Sequence, residues 1–381
     1  MTQGENLVGD DDPRRETLPE TTTIVLRWAP RVSGQTVEVL GVYVLTRLVL
    51  LLATYYGRTI GNMGTIGNLL AGWRGQYYLD VATSGYPAHA ALGQSPQIAF
   101  FPLYPMAIRV VSTISPLSPL AAGVLVSWVA GGVFTVLVVR IVSDAFDRGA
   151  GRRAGVMVAL FPGSFIASLP YAEAMAVMFV AWSLWAATRD RPARAGVMGA
   201  LATLTSPVTL PLVVVHAWRA RRTHDRRFFG AAVLSAVGFV LYMSYLWLHT
   251  GSATAWYRTE QVSFAHHFDL VSAITHLSDG PGVALTELVS LFVLVLAVVG
   301  SLRVKAPTEW VIYGGLVMLS ALFDSTLWAS PRMLFNAFPL LMGLAVWARR
   351  EGGRLLTYSF ALLLPVVFLL YMTLGNTMAQ P

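Results

Sequence analysis

Three acidic residues lie in or beside strongly apolar stretches of this sequence, where a charged group is costly. Glu173 lies at the external end of a hydrophobic hairpin, Asp324 lies near the outer end of an apolar segment, and Asp80 lies among aromatic residues. A carboxylate in such a position can act as a general base that takes a proton from a substrate hydroxyl. Each also has a structural interpretation: Glu173 as a helix N-terminal charge, Asp324 as an ion-pair partner of Arg332, and Asp80 as a solvent-facing residue.

Three arginines could bind an anionic substrate beside these carboxylates: Arg74, Arg258 and Arg332. A guanidinium group binds two phosphate oxygens at once, so these residues could hold a lipid phosphate. Contact with lipid headgroups or structural ion pairing would also explain them.

Aromatic residues are dense in the same part of the chain as Arg74. Trp73, Tyr78, Phe101 and Tyr104 could stack on a sugar or hold a lipid chain, and Tyr171 lies beside Glu173. Aromatic side chains more often serve as anchors at a membrane interface.

The sequence has no comparable signal for a metal ion or a cofactor. It contains no cysteine, and the adjacent His266 and His267 do not share a helix face. No glycine-rich nucleotide-binding pattern occurs in a suitable context. We therefore predict neither a metal nor a cofactor.

The apolar composition of the chain indicates which kind of structural elements position these residues. Of the 381 residues, 55% are hydrophobic and 12% charged, and the mean hydropathy is +0.59, whereas a soluble domain carries about 25% charged residues. These values exclude a soluble enzyme, a disordered chain and a nucleic-acid binder. They predict an all-α polytopic membrane protein with about ten or eleven membrane segments.

Apolar runs predict where these segments lie. The predicted spans are 39–56, 118–140, 154–170, 171–188, 229–249, 283–303, 308–328, 333–348 and 355–374. The polar residues 1–36 are predicted to be a flexible tail, and 37–381 a single membrane domain.

Basic residues predict the orientation of the spans. One set of loops holds 17 basic residues and the opposite set five, and the basic side of a membrane protein is cytoplasmic. We therefore expect a cytoplasmic N-terminus, a plasma-membrane location, and two long external loops at 57–117 and 250–282. The first of these is predicted to carry interfacial helices.

Segment 197–217 does not fit a simple crossing, because basic clusters flank it on both sides and Ser206-Pro207 interrupts it. Proline breaks the helical hydrogen-bond ladder. We predict two half-length helices that enter from the cytoplasm, meet near Ser206 and return, which requires a protein-lined or wet environment at the break.

Five motifs, in order along the chain, resemble PIG-V-type mannosyltransferases of the GT-C glycosyltransferase superfamily. They are W-R-G-Q-Y-Y-L-D-V-A-T-S-G-Y (73–86), A-F-F-P-L-Y-P (99–105), F-P-G-S-F-I-A-S-L-P-Y-A-E-A (161–174), T-A-W-Y-R-T-E-Q (254–261) and P-R-M-L-F-N-A-F-P-L (331–340). The resemblance implies a GT-C-like fold and an inverting transferase that uses polyprenyl-phosphate-linked mannose on the outer membrane face.

The sequence departs from this family at two positions. Arg74 stands where the family has the aspartate that would be the catalytic base, and Ser206 stands where the family tends to have arginine. Arginine cannot accept a proton from a hydroxyl at ordinary pH. A substitute base is therefore required, with Glu173 first, Asp324 second and Asp80 third.

These observations predict a membrane glycosyltransferase. Its expected partners are membrane lipid, a polyprenyl-phosphate sugar donor, and a lipid or protein acceptor. One alternative is a non-catalytic homologue that binds a lipid-linked sugar or supports a partner membrane protein. Another is a transporter of lipid-linked sugars, although the chain shows no related halves of the kind many transporters have.

Overall fold

The computed structural model describes residues 34–59, 65–72, 74–87, 95–264, 281–321, 330–348 and 350–378. All regular elements in these ranges are helical, so the prediction of an all-α polytopic membrane protein is confirmed. The α-helices are α1 (Gly34–Thr59), α2 (Ile66–Ala71), α3 (Gly75–Ser84), α4 (Leu103–Ile114), α5 (Pro119–Ala145), α6 (Arg148–Leu160), α7 (Glu173–Thr188), α8 (Pro192–Thr205), α9 (Pro211–Thr223), α10 (Arg227–Thr250), α11 (Ala255–Phe264), α12 (Pro281–Arg303), α13 (Thr308–Ala321), α14 (Ser330–Asn336), α15 (Phe338–Trp347) and α16 (Arg350–Met378). Short 3-10 helices lie at Pro96–Ala99, Pro162–Ser168 and Pro207–Thr209.

Four helices in the described ranges are individually long and apolar enough to cross a membrane: α1, α5, α10 and the Gly352–Leu370 part of α16. The best apolar window of α5 is 56% buried, against 22–33% in the other three. Helix α5 therefore lies inside the bundle, whereas the other three present apolar side chains such as Leu45, Val233 and Leu362 outward. Outward apolar surface on this scale is suited to lipid.

The predicted span 154–170 is wrong as a single helix. Helix α6 ends at Leu160, and Phe161 takes an extended conformation (φ −55°, ψ 133°). The residue before a proline is pushed out of the helical region, and Pro162 has no N–H to continue the ladder. The chain then forms the 3-10 helix Pro162–Ser168, which meets α7 at an angle of 108°.

The predicted span 333–348 is likewise divided. Helix α14 ends at Asn336 and α15 begins at Phe338, with Pro339 in its first turn. Proline is tolerated in the first turn of a helix but not in its interior. The division places α14 beside the 3-10 helix Pro162–Ser168.

Helices α8 and α9 form an out-and-back pair, as the break at Ser206 predicts. The guanidinium of Arg219, near the end of α9, lies 3.0 Å from Asp190, which precedes α8. The outer ends of the pair are therefore adjacent. At about 1.5 Å per residue each helix is only about 20 Å long, well short of a 30 Å hydrocarbon layer.

Small residues allow α8 to pack closely against α10. A Cβ atom on Gly199 would lie 2.0 Å from the Ser235 hydroxyl, and one on Gly238 would lie 2.0 Å from the Ala200 carbonyl. Thr203 also donates a hydrogen bond of 2.7 Å to the backbone carbonyl of Ser235. Close backbone approach with interhelical hydrogen bonds is typical of helix packing in membranes.

Ion pairs join the arginine-rich loops at one end of the bundle, which we call the basic end. Arg219 lies 3.2 Å from Glu309 as well as close to Asp190, and Arg189 lies 2.7 Å from Asp144. These contacts connect the ends of α5, α7 and α9 with the start of α13. The sequence-predicted basic loops thus meet at one end of the fold.

Candidate active site

A cavity of about 450 Å³ opens between α3, α7, α11 and α14, at the end of α7 away from the basic end. Its polar and aromatic wall brings together residues that are far apart in sequence. They include Arg74, Tyr78, Tyr171, Glu173, Ser206, Trp256, Glu260, Arg332 and Asn336. The described lining residues include two arginines and two glutamates.

A buried ion pair joins Glu173 to Arg332 at the centre of this arrangement. Arg332 Nε lies 3.0 Å from Glu173 Oε1, and the two side chains are 19% and 11% exposed. The other carboxylate oxygen, Oε2, is buried and accepts no hydrogen bond from any described residue. A buried acceptor of this kind is suited to a substrate hydroxyl, because leaving it unsatisfied is costly.

Helix α7 begins at Glu173, which fixes the carboxylate at the cavity. Burial of a charged group is offset in part by its arginine partner and by the partial positive charge of a helix N-terminus. The interpretation of Glu173 as a helix N-terminal charge and its interpretation as a site residue are therefore compatible.

Arg47 holds the turn that leads to Glu173. This arginine of α1 is fully buried. Its Nη2 donates to the Ala159 carbonyl at 3.1 Å and to the Ser164 hydroxyl at 3.0 Å, and Nη1 donates to the Ser164 carbonyl. These bonds satisfy polar groups that the break between α6 and the 3-10 helix would otherwise leave unpaired.

Gly163 brings Arg332 close to Glu173. A Cβ atom at Gly163 would lie 1.8 Å from the carbonyl oxygen of Pro331. Only glycine permits the backbone before Arg332 to pack this closely on the 3-10 helix. The F-P-G motif therefore has a direct structural role in assembling the ion pair.

Tyr171 links the glutamate to the segment that carries Arg74. Its hydroxyl donates a 2.8 Å hydrogen bond to the Gly72 carbonyl, and its own carbonyl accepts one of 3.1 Å from Ser127. The side chain is buried and also lines the cavity.

The pKa of Tyr78 on α3 depends on the charged residues of the cavity. Its ring packs edge-on against Phe100 at 4.7 Å and Tyr104 at 5.1 Å. Burial has the largest effect and raises the pKa of Tyr78 well above its ordinary value. The negative charge of Glu173 raises this pKa further, whereas the positive charges of Arg332 and Arg74 lower it. The phenol is therefore uncharged and keeps its proton for hydrogen bonding.

Two other elements complete the wall. The break between α8 and α9 contributes residues 206–208, and α11 contributes Trp256 and Glu260. Sequence reasoning used the T-A-W-Y-R-T-E-Q motif only as a landmark and did not select these two residues. Their spacing of four, which puts both on one face of a helix, could have identified them.

Five of the sequence-predicted site residues line the cavity: Arg74, Tyr78, Tyr171, Glu173 and Arg332. Four others lie elsewhere. Tyr104 is buried and hydrogen-bonded to Ser127, and Phe101 packs on Tyr242. Asp80 accepts a hydrogen bond from Gln76, and Arg258 is exposed on α11. Trp73 and Asp324, like His266 and His267, lie outside the described residues. In the described part of the chain no three acidic or histidine side chains group as metal ligands.

Comparison with solved structures gives a match to the crystal structure of ArnT from Cupriavidus metallidurans bound to undecaprenyl phosphate. The alignment covers 80% of this chain and 70% of that one, with a TM-score of 0.50 and 14% sequence identity. The fold is GT-C-like. No protein-family model matches the sequence, and no curated protein does either.

Proposed function

We propose that this protein is a membrane glycosyltransferase that moves a sugar from a polyprenyl-phosphate donor to the hydroxyl of a lipid or protein acceptor. The observation that carries the proposal is the buried Glu173–Arg332 pair, which lies with Arg74 in one cavity of a GT-C-like fold. The undecaprenyl phosphate bound to ArnT supports a polyprenyl donor. The resemblance to PIG-V-type enzymes supports mannose as the sugar.

Each side chain has a defined task in this reaction. The acceptor oxygen attacks the anomeric carbon while the bond from that carbon to the phosphate oxygen breaks, and polyprenyl phosphate leaves. Glu173 Oε2 takes the acceptor proton, which makes Glu173 the general base. Arg332 and Arg74 stabilise the charge on the departing phosphate, and Tyr78 donates a hydrogen bond to the phosphate or the sugar.

The proposal places the cavity on the extracytoplasmic side of the plasma membrane, with the N-terminus and the basic end in the cytoplasm. The concentration of ion-paired arginines at the end opposite the cavity supports this orientation.

Single cysteines test the orientation directly, because the sequence contains no native cysteine. Thr188 and Thr223, both exposed at the basic end, are expected to resist an impermeant thiol reagent in intact cells after mutation to cysteine, and to react once the cells are opened. Cysteine at the exposed Thr254 is the matched control and should react in intact cells. Labelling of Thr188→Cys or Thr223→Cys from outside would contradict the orientation.

A transfer assay tests the function. Membranes containing the wild-type protein are incubated with radiolabelled polyprenyl-phosphate mannose, and with the glucose analogue for comparison, and label is followed into lipid and protein fractions. Transfer that depends on the protein is expected, with mannose preferred. No transfer from either donor, where a related mannosyltransferase is active in parallel, would refute the enzymatic proposal.

One observation favours a second candidate function, that of a non-catalytic homologue which binds a lipid-linked sugar. Arg74 lines the cavity at the position where the resemblance calls for the catalytic aspartate. If the wild type is inactive, Arg74→Asp should then produce transfer, since it restores a carboxylate to that position. A wild type that is active, with Arg74→Asp no better, excludes this candidate.

A further inference from the structure

A second cavity, of about 460 Å³, lies between α3, α4 and α10. The proposed transfer reaction assigns no role to it. We call it the lateral groove. Residues two positions apart in the chain line the two cavities. Pro102 and Leu204 line the lateral groove, whereas Phe100 and Ser206 line the candidate active site. The lateral groove and the active-site cavity are therefore neighbours, separated by two short stretches of chain.

Three tyrosines form an apolar wall of the lateral groove. The rings of Tyr242 and Tyr245 lie 5.7 and 5.6 Å from the ring of Tyr86. The Tyr86 hydroxyl donates to the Phe100 carbonyl at 2.6 Å, and the Tyr242 hydroxyl donates to the Ile98 carbonyl at 2.7 Å. Because these two hydroxyls are bonded to the backbone, the rings offer the groove mainly carbon surface.

The outer side of the groove is apolar and exposed. Met106, Val110 and Ile114 on α4 are 57%, 57% and 78% exposed, and their spacing of four places them on one face of the helix. Across the groove, Leu241 on α10 is 58% exposed. An exposed apolar face on both sides of an opening is suited to lipid chains.

Arg109 is the charged residue of the lateral groove. Its Nε donates to the Ala82 carbonyl at 2.6 Å and its Nη2 to the Thr83 carbonyl at 3.0 Å, at the end of α3. These bonds fix the guanidinium in one position. Its third nitrogen, Nη1, makes no hydrogen bond to the described residues, so a fixed cation with a usable donor lies beside an apolar groove.

We propose that the lateral groove binds an anionic phospholipid, with one hydrocarbon chain against the three tyrosines and the phosphate against Arg109. Charge complementarity selects an anionic lipid, since the groove carries one arginine and no acidic lining residue in the described part of the chain. The apolar faces on α4 and α10 allow the chain to enter from the membrane. This binding is independent of the transfer reaction.

Native mass spectrometry of the full-length protein in detergent tests the proposal, with phosphatidylglycerol and phosphatidylcholine of identical chains as the probes. The wild type should retain phosphatidylglycerol in preference to phosphatidylcholine. Arg109→Gln should raise the apparent Kd for phosphatidylglycerol by about tenfold or more, as expected for the loss of a charge-assisted hydrogen bond. Arg58→Gln, which changes an exposed arginine at the end of α1, is the matched control and should bind like the wild type.

Met106→Trp keeps the test decisive if Arg109→Gln disturbs α3. Met106 is exposed at the mouth of the groove, so tryptophan can fill the groove without crowding the core, and it should weaken the binding of both lipids. Weaker binding of phosphatidylglycerol in both variants, with unchanged thermal unfolding of Met106→Trp, supports the proposal. A wild-type Kd for phosphatidylglycerol in either variant overturns it, because the chain or the phosphate then binds elsewhere.

Discussion

Replacing Glu173 by glutamine is expected to lower the rate of sugar transfer by about 10²–10⁴-fold, the usual contribution of a general base. Glutamine keeps the size of the side chain and a hydrogen bond to the acceptor, but it cannot take the proton. Because the donor phosphate is assigned to the arginines, the KM for the donor should change much less than kcat. The measurement is steady-state transfer in membranes with the wild type and the variant at matched expression.

Two further substitutions test whether the loss of transfer rate is specific to Glu173. Glu38→Gln makes the same chemical change on an exposed residue at the basic end and should leave transfer unchanged. Glu260→Gln changes the other glutamate of the cavity wall and should have a smaller effect than Glu173→Gln. A fully active Glu173→Gln protein, or a larger loss of kcat in Glu260→Gln, would remove Glu173 from the role of base.

Replacing Arg332 by alanine is expected to reduce transfer by about 10²–10³-fold, comparable to the loss of one preorganised donor to a developing negative charge. The substitution removes the cation that stabilises the leaving phosphate. Arg332→Lys should recover only part of the rate, because an ammonium group cannot bind two phosphate oxygens in the planar geometry of a guanidinium. Transfer and equilibrium binding of polyprenyl phosphate are both measured.

A structural explanation must be separated from a catalytic one, because Arg332→Ala leaves the Glu173 carboxylate buried without its partner. The double variant Arg332→Ala/Glu173→Gln removes both charges. If Arg332 served only to neutralise Glu173, the double variant would bind polyprenyl phosphate like the wild type. We expect it to bind weakly, whereas the exposed Arg58→Ala control should bind normally.

Local chemistry in the sequence was sufficient to predict the fold class, most helix positions and the break at Ser206. Long apolar runs specify helices, because backbone groups in lipid must be bonded within the helix. Basic residues on both sides of residues 197–217 predicted that α8 and α9 return to the same end, and the Asp190–Arg219 contact bears this out. The F-P-G motif indicated a functional segment, but the end of α6 at Leu160 was missed.

The grouping of the site residues could not be obtained from local chemistry. Asp324, which was predicted as a partner of Arg332, lies outside the described residues, so that pairing stays a prediction. The structure pairs Arg332 with Glu173, which is 159 positions away in the chain. That pairing depends on the close approach of Gly163 to Pro331, on the Arg47 hydrogen bonds and on the angle between the 3-10 helix and α7.

Sequence by itself therefore determined that this protein is a helical membrane protein with charged residues near its apolar segments, because hydrophobicity and hydrogen-bonding needs act over a few neighbouring residues. Only the tertiary structure decided which charges meet. It brought Arg74, Glu173, Glu260 and Arg332 into one cavity and placed Arg109 in another. The physical reason is that ion pairing and cavity shape depend on helix packing between distant segments, and packing is set by close contacts that no local pattern records.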